Sequence, residues 1–155
     1  MKITITRSGN ELTASLRGDL NESCEGELKD LLGKIEVPSL VVDAERVELI
    51  NSLGARYWMI FMKALSKKAT AVRFKRCSPA FVESCNMYPS FVPENSIESL
   101  FFPAKCQSCG EVDPALVIRE NFSKENPVAD HKCGTCQSPL EPSLDVEEFM
   151  QSTRS

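Results

Sequence analysis

Residues 41–61, VVDAERVELINSLGARYWMIF, decide the fold. The stretch opens inside an apolar run, Leu40-Val41-Val42, that stops at Asp43. A run this short, apolar on every side, reads as a strand buried on both faces. From Ser52 to about Lys67 the composition turns to Leu, Ala, Met and Lys without proline, over a length that suits a helix. A buried strand followed by a helix is the unit from which α/β layers are built.

Upstream, Ile3 and Ile5 alternate with Lys2, Thr4 and Thr6, while Leu12, Ala14 and Leu16 alternate with Thr13, Ser15 and Arg17. This period of two predicts two half-buried strands, joined by a turn at Gly9-Asn10. Cys24, Leu28, Leu31, Leu32 and Ile35 then recur at helical spacing, with Asn21 placed as N-cap and Gly33 near the end. Downstream, Ala71–Phe74 predicts a strand, Ser78-Pro79 starts a third helix running through Phe81, Val82, Cys85 and Met87, and Ile97–Phe102 predicts a last strand. The expectation is an α/β fold, with a mixed β-sheet packed with helices, over residues 1–104. A small cysteine-bearing module at 105–140 and a tail at 141–155, a short helix or loose chain, follow it.

Length and composition agree. With 155 residues, 42% hydrophobic and 26% charged, the chain suits one ordinary domain with an appendage and excludes collagen-like or disordered classes. No apolar run approaches the roughly 20 residues that cross a bilayer, and the start MKITITRSGNEL alternates instead of forming a signal peptide's apolar block. A cytoplasmic location with no membrane partner is expected. Net charge is −4, yet residues 1–104 hold 13 basic and 13 acidic side chains, so the excess acidity lies in residues 105–155, with 5 and 9.

Seven cysteines cannot all pair internally, and without a secretory signal the thiols are expected to stay reduced. Cys106-Gln107-Ser108-Cys109 and Cys133-Gly134-Thr135-Cys136 form two CxxC pairs. Each can wrap a tight turn around an ion, and two such knuckles complete a tetrahedral thiolate shell suited to structural Zn(II), with no position left for water. The module resembles a zinc ribbon. Gly110 and Gly134 are expected to supply the positive φ angles of the knuckles, with Ala115–Arg119 as one arm and a return near Val128–Lys132. A thiol–disulfide redox role for a CxxC pair, two structural disulfides and a rubredoxin-like iron centre are the alternatives; redox chemistry belongs at a helix N-terminus, and neither pair is followed by a helical pattern. His131 reads as a solvated loop residue, and Cys24, Cys77 and Cys85 as small buried hydrophobes.

With four thiolates and one divalent ion the C-terminal third would carry a charge of about −6, which repels a polyanion, so no nucleic acid is expected as partner. One histidine, no glycine-rich phosphate loop and no acid–base pair argue against an enzyme. On a helical wheel Ser52, Arg56, Met59, Lys63 and Lys67 share one arc of the second helix, with Leu53, Tyr57, Ile60, Phe61 and Ala64 opposite. From Arg56 to Arg76 there are seven basic residues and no acidic one.

Four parts of residues 1–104 resemble the STAS domain, the fold shared by anti-sigma factor antagonists and the cytoplasmic tails of sulfate transporters. They are the opening hairpin ending in Arg17-Gly18-Asp19-Leu20-Asn21, the buried strand reaching Asp43, the helix start Asn51-Ser52-Leu53-Gly54, and Ser78-Pro79-Ala80 after the fourth strand. The resemblance implies a non-catalytic regulatory module that binds another protein, an anti-sigma factor that is also a serine kinase or a related regulator, through Asn51, Ser52, Arg56, Met59, Lys63 and Lys67. In bacterial members a serine or threonine of an Asp-Ser-Ser-Gly motif at this helix start is phosphorylated, which puts Ser52 in the phosphorylated position and Gly54 on the glycine. Asn51 and Leu53 depart from that motif. They favour the alternative of a non-switching scaffold or ligand sensor whose ribbon docks a protein assembly.

Overall fold

The computed structural model describes residues 1–68, 70–122 and 125–150. Strands β1 (Lys2–Ser8) and β2 (Glu11–Leu20) form the opening hairpin, turned at Gly9 with φ +57°. Asn21 ends β2 and caps a 3-10 turn, Glu22–Cys24, its side-chain oxygen accepting from the Ser23 N–H at 3.0 Å, and α1 (Glu25–Lys34) continues from it. Strand β3 (Ser39–Ile50) runs seven residues beyond the expected stop at Asp43, because Arg46, Val47 and Ile50 pair with β2 after the local apolar pattern has ended. Next come α2 (Ser52–Ser66), β4 (Ala71–Lys75) and α3 (Pro79–Met87), the last capped by Ser78, whose hydroxyl accepts from the Phe81 N–H at 3.2 Å.

The sheet has the order β1-β2-β3-β4, antiparallel within the hairpin and parallel thereafter. Its parallel steps each need a crossover, which α1 and α2 supply. Leu12, Ala14, Leu16, Leu40, Val42 and Phe74 point from one face into the core shared with Leu31, Trp58, Phe61, Leu65 and Phe81 of the helices. Trp58 is fully buried between Phe61, Phe74, Phe81 and Phe91, at ring separations of 5.3 to 6.1 Å within the cluster, and its indole N–H donates to the Phe91 carbonyl at 2.8 Å. That bond lets a tryptophan sit at zero exposure without an orphaned donor. The opposite face of the sheet is polar; Val41, buried there, stands outside the main core cluster.

The cysteine-bearing segment is built of β5 (Ser99–Phe102), β6 (Ala104–Cys106), β7 (Ala115–Ile118), β8 (Leu140–Pro142) and α4 (Val146–Phe149). The arm at Ala115 does not return along Val128–Lys132. Instead β7 pairs antiparallel with β5, and β6 pairs with β8. Single parallel bridges, Phe74↔Ile97 and Cys77↔Leu100, attach the chain entering β5 to the edge at β4. Phe149 of α4 stacks edge-on against Phe102 at 4.9 Å and its carbonyl accepts from the Asn86 amide at 2.9 Å, so the tail folds back as a short helix. Residues 151–155 of the expected tail lie outside the described residues.

Candidate functional site

The four sulfurs of Cys106, Cys109, Cys133 and Cys136 lie within 4.8 Å of one another. Cys106 and Cys136 approach to 3.4 Å, and Cys109 and Cys133 to 3.6 Å. The two knuckles have the same backbone. In the first, Cys106 donates its N–H to the Glu111 carbonyl (2.8 Å) and accepts from the Gly110 N–H (2.9 Å); in the second, Cys133 donates to Ser138 (2.8 Å) and accepts from Gln137 (3.0 Å). The residue four places after the leading cysteine is left-handed in both, Gly110 at φ +75° and Gln137 at φ +63°. Gly134 therefore does not carry the positive φ expected of it; Gln137 does, a choice that sequence alone disguises because glycine usually fills such a position.

Cys106 and Cys133 are buried in the core cluster while Cys109 and Cys136 are exposed, so the site is rooted on one side and open on the other. As free thiols the group shares protons unequally. Hydrogen bonds with Ser138 draw Cys136 down to about 6, and the N–H groups of Cys136 and Thr135 lower Cys133. The Glu111 backbone also favours the Cys109 thiolate, yet bonding to Cys133 and the other sulfurs outweighs it and pushes Cys109 up to about 12. Sulfurs that ionise readily beside one that keeps its proton are what a metal meets and fully deprotonates on binding.

Neither CxxC pair stands at a helix N-terminus, the geometry that lowers a redox thiol's pKa. His131 is a half-exposed loop residue: its Nε2 lies 2.7 Å from the Leu116 carbonyl oxygen, its Nδ1 is buried without a partner among the described residues, and it does not join the four-sulfur group. Cys24 and Cys77 are fully buried and Cys85 partly so, and desolvation pushes all three thiols up.

At the start of α2 the N-cap is Asn51, whose side-chain oxygen accepts from the Gly54 N–H at 2.8 Å. Its amide also donates to Glu22 at 3.1 Å. Ser52 is thus the first helical residue, exposed, and its hydroxyl makes no hydrogen bond with any described residue. Gly54 lies against the end of β2. A Cβ there would fall 2.0 Å from the Leu20 carbonyl oxygen, so the glycine is required by close approach of helix to strand and not by its φ.

Arg56, Lys63 and Lys67 are exposed beside Ser52, and Met59 is half-buried between them. The opposite arc is not uniformly buried. The helix buries Gly54, Ala55, Trp58, Phe61, Met62 and Leu65, while Leu53 and Ile60 are about half exposed, at 46% and 55%. Ile60 lines the groove between α1 and α2 with Leu28, Leu32, Tyr57 and Phe61, and Leu53 lies outside that lining. The seven-cation run is also partly spent. Lys68 donates to the Leu32 and Ile35 carbonyls at the end of α1, Arg73 pairs with Glu11 and Glu98, and Arg76 with Asp43 and Glu45. Arg56, Lys63, Lys67 and Lys75 form no ion pair with a described residue.

No family model and no curated protein matches this chain. Among solved structures, one titled a crystal structure analysis of Mglu is similar to 46% of this chain at 19% identity and a TM-score of 0.43; the chain spans only 18% of that protein's length. The anti-sigma factor antagonist SpoIIAA in its unphosphorylated form is similar over 56% of this chain and 79% of its own, at 16% identity and a TM-score of 0.44. No helix among the described residues is long and apolar enough to cross a membrane.

Proposed function

We propose that the chain is a non-catalytic regulatory module that binds another protein through α2, with a structural Zn(II) site in its C-terminal ribbon. One observation carries the reading. Ser52 is an exposed first-turn residue whose capping duty has been taken over by Asn51, so its hydroxyl is free for a modifying enzyme or a partner. A phosphoryl group there adds about −1.5 to −2 charge where the helix N-terminus tolerates it, with Arg56 one turn away. The helix is kept and its outer face changes sign, so a partner seated on Asn51, Ser52, Arg56, Met59, Lys63 and Lys67 loses complementarity and leaves.

Incubation with serine kinases encoded in the same genome, read by intact mass and fragment mapping, is expected to place one phosphate on Ser52 and none on the Ser52→Ala chain. If every such kinase leaves Ser52 bare while α2 still captures its partner, the switch is lost and the chain is a phosphate-independent scaffold. Leu53 favours that second reading: an exposed aliphatic where the resembled motif has a serine gives a permanent apolar contact beside the ridge.

For the metal, four sulfurs around a zinc ion at about 2.3 Å stand roughly 3.8 Å apart, a separation that the 3.4 to 4.8 Å spread here reaches with small shifts. Metal analysis with a count of protected thiols tests it: one ion and four protected cysteines are expected, and fewer than four would defeat the assignment. The same reading divides the chain into a STAS-like unit of residues 1–104, the ribbon at 105–140 and the tail from 141 onward.

A further inference from the structure

A second site lies on the face of the sheet turned away from α1 and α2. In register with one another across three neighbouring strands stand Lys2 of β1, Arg17 of β2 and Arg46 of β3. All three line one concavity of about 340 Å³, which Arg76 also lines together with the two carboxylates it pairs with, Asp43 and Glu45; the side chains of Lys2, Arg17 and Arg46 make no ion pair or hydrogen bond with a described residue. Like charges directly opposite on paired strands destabilise a sheet. A lysine on an edge strand is common protection against unwanted pairing; an arginine opposite an arginine inside the sheet is not explained that way.

The row is produced by a β-bulge. Ser15 pairs with Asp43, so regular register would set Arg17 opposite Glu45, a complementary pair. Two residues of β3, Ala44 and Glu45, occupy the space opposite the single Leu16, and the register resumes with Arg17 opposite Arg46. The displaced Glu45 instead holds Arg76 at 3.0 Å, alongside buried Asp43. The bulge thus gives up an ion pair and builds a line of unneutralised cations, each one strand spacing of about 4.8 Å from the next. Behind them the next register pair, Thr4 and Ser15, offers two hydroxyls to the same concavity.

From this we infer that the concavity binds a small free polyanion of the phosphate class, one carrying two or more phosphoryl groups. Guanidinium forks match phosphate oxygens, the hydroxyls add donors, and the multiple charges of a polyphosphate suit three cations in line. The volume suits a small molecule. None of the large exposed hydrophobic residues lines the hollow, so the anion is a free one and not the headgroup of a lipid surface. This site is independent of the reading of Ser52.

Titration of the whole 155-residue chain with inorganic pyrophosphate, followed by calorimetry and backbone amide shifts, tests the inference. One saturable site is expected, with shifts centred on Thr4, Ser15 and Arg46, and with affinity falling roughly tenfold in Arg17→Gln and in Arg46→Gln. Lys34→Gln, at the end of α1, should bind unchanged. In the absence of the anion Arg46→Glu should melt at a higher temperature than the parent, since it restores a complementary pair, and it should no longer be stabilised by pyrophosphate. Absence of saturable binding would overturn the inference, as would affinity indifferent to Arg17 and Arg46, shifts gathered on α2, a lowered melting temperature for Arg46→Glu, or tighter capture by vesicles bearing a bisphosphorylated inositol lipid than by pyrophosphate.

Discussion

The sheet-and-helix unit and the cysteine ribbon hold themselves together by different means. In the first, Trp58, Phe74, Phe81 and Phe91 form a fully buried aromatic knot between sheet and helices. In the second, the described residues among 105–140 bury only Ala115, Val117, Val128 and Leu140 beside two of the four sulfurs, and the larger Phe102 and Phe149 pack at their border. Where apolar area is scarce, bonds to the proposed metal would supply the stability that packing supplies elsewhere. The first unit should therefore tolerate metal loss and the second should not.

The largest effect expected is from Cys133→Ser. It removes a buried sulfur and one of the four proposed ligands, and the metal content should drop to background with loss of amide-exchange protection in β6 and β8. Protection in β2 and β3 should survive; if it vanishes too, the two regions are one cooperative unit and the contrast fails. Trp58→Ala is the reciprocal test. It should cost about 3 to 5 kcal/mol in chemical denaturation, while the folded fraction still binds its full complement of metal.

Gly54→Ala comes next. The added methyl meets backbone atoms that cannot rotate away, so α2 must shift, at roughly 1 to 3 kcal/mol. Denaturation curves measure the loss, and amide shifts should spread along Leu20 and Asn21 while the ribbon stays silent. The smallest effect separates the two knuckles. Gln137→Gly relieves a left-handed non-glycine residue and should raise the ribbon's melting temperature, by the equivalent of about 1 kcal/mol. No gain would mean that the Gln137 side chain repays its own strain.

The sequence made the local features plain and hid those that depend on distant strands. The hairpin, the caps at Asn21 and Ser78, and the paired CxxC motifs each announce themselves within a few residues, because turn and cap chemistry is local. β3 was underestimated because residues 44–50 lack an apolar run and owe their extension to pairing with β2. The partner of Ala115–Ile118 was misread because β7 turns back to β5, across the point where the charge composition changes. At the site itself the four sulfurs and the exposed hydroxyl of Ser52 were legible; the exposure of Leu53 and Ile60 and the pairing of Arg73 and Arg76 were not. The two arginine pairings are settled by neighbours at least 25 residues away, and the exposure of the two aliphatics by how α2 packs.

The seam at Gly54 has a mechanical meaning. With Leu20's carbonyl pressed against the helix where a side chain would normally sit, the first turn of α2 has no room to slide or tilt toward the sheet. On the proposed reading of Ser52, a phosphate added there would therefore act at the surface, through charge and shape, with no shift of the helix against β2.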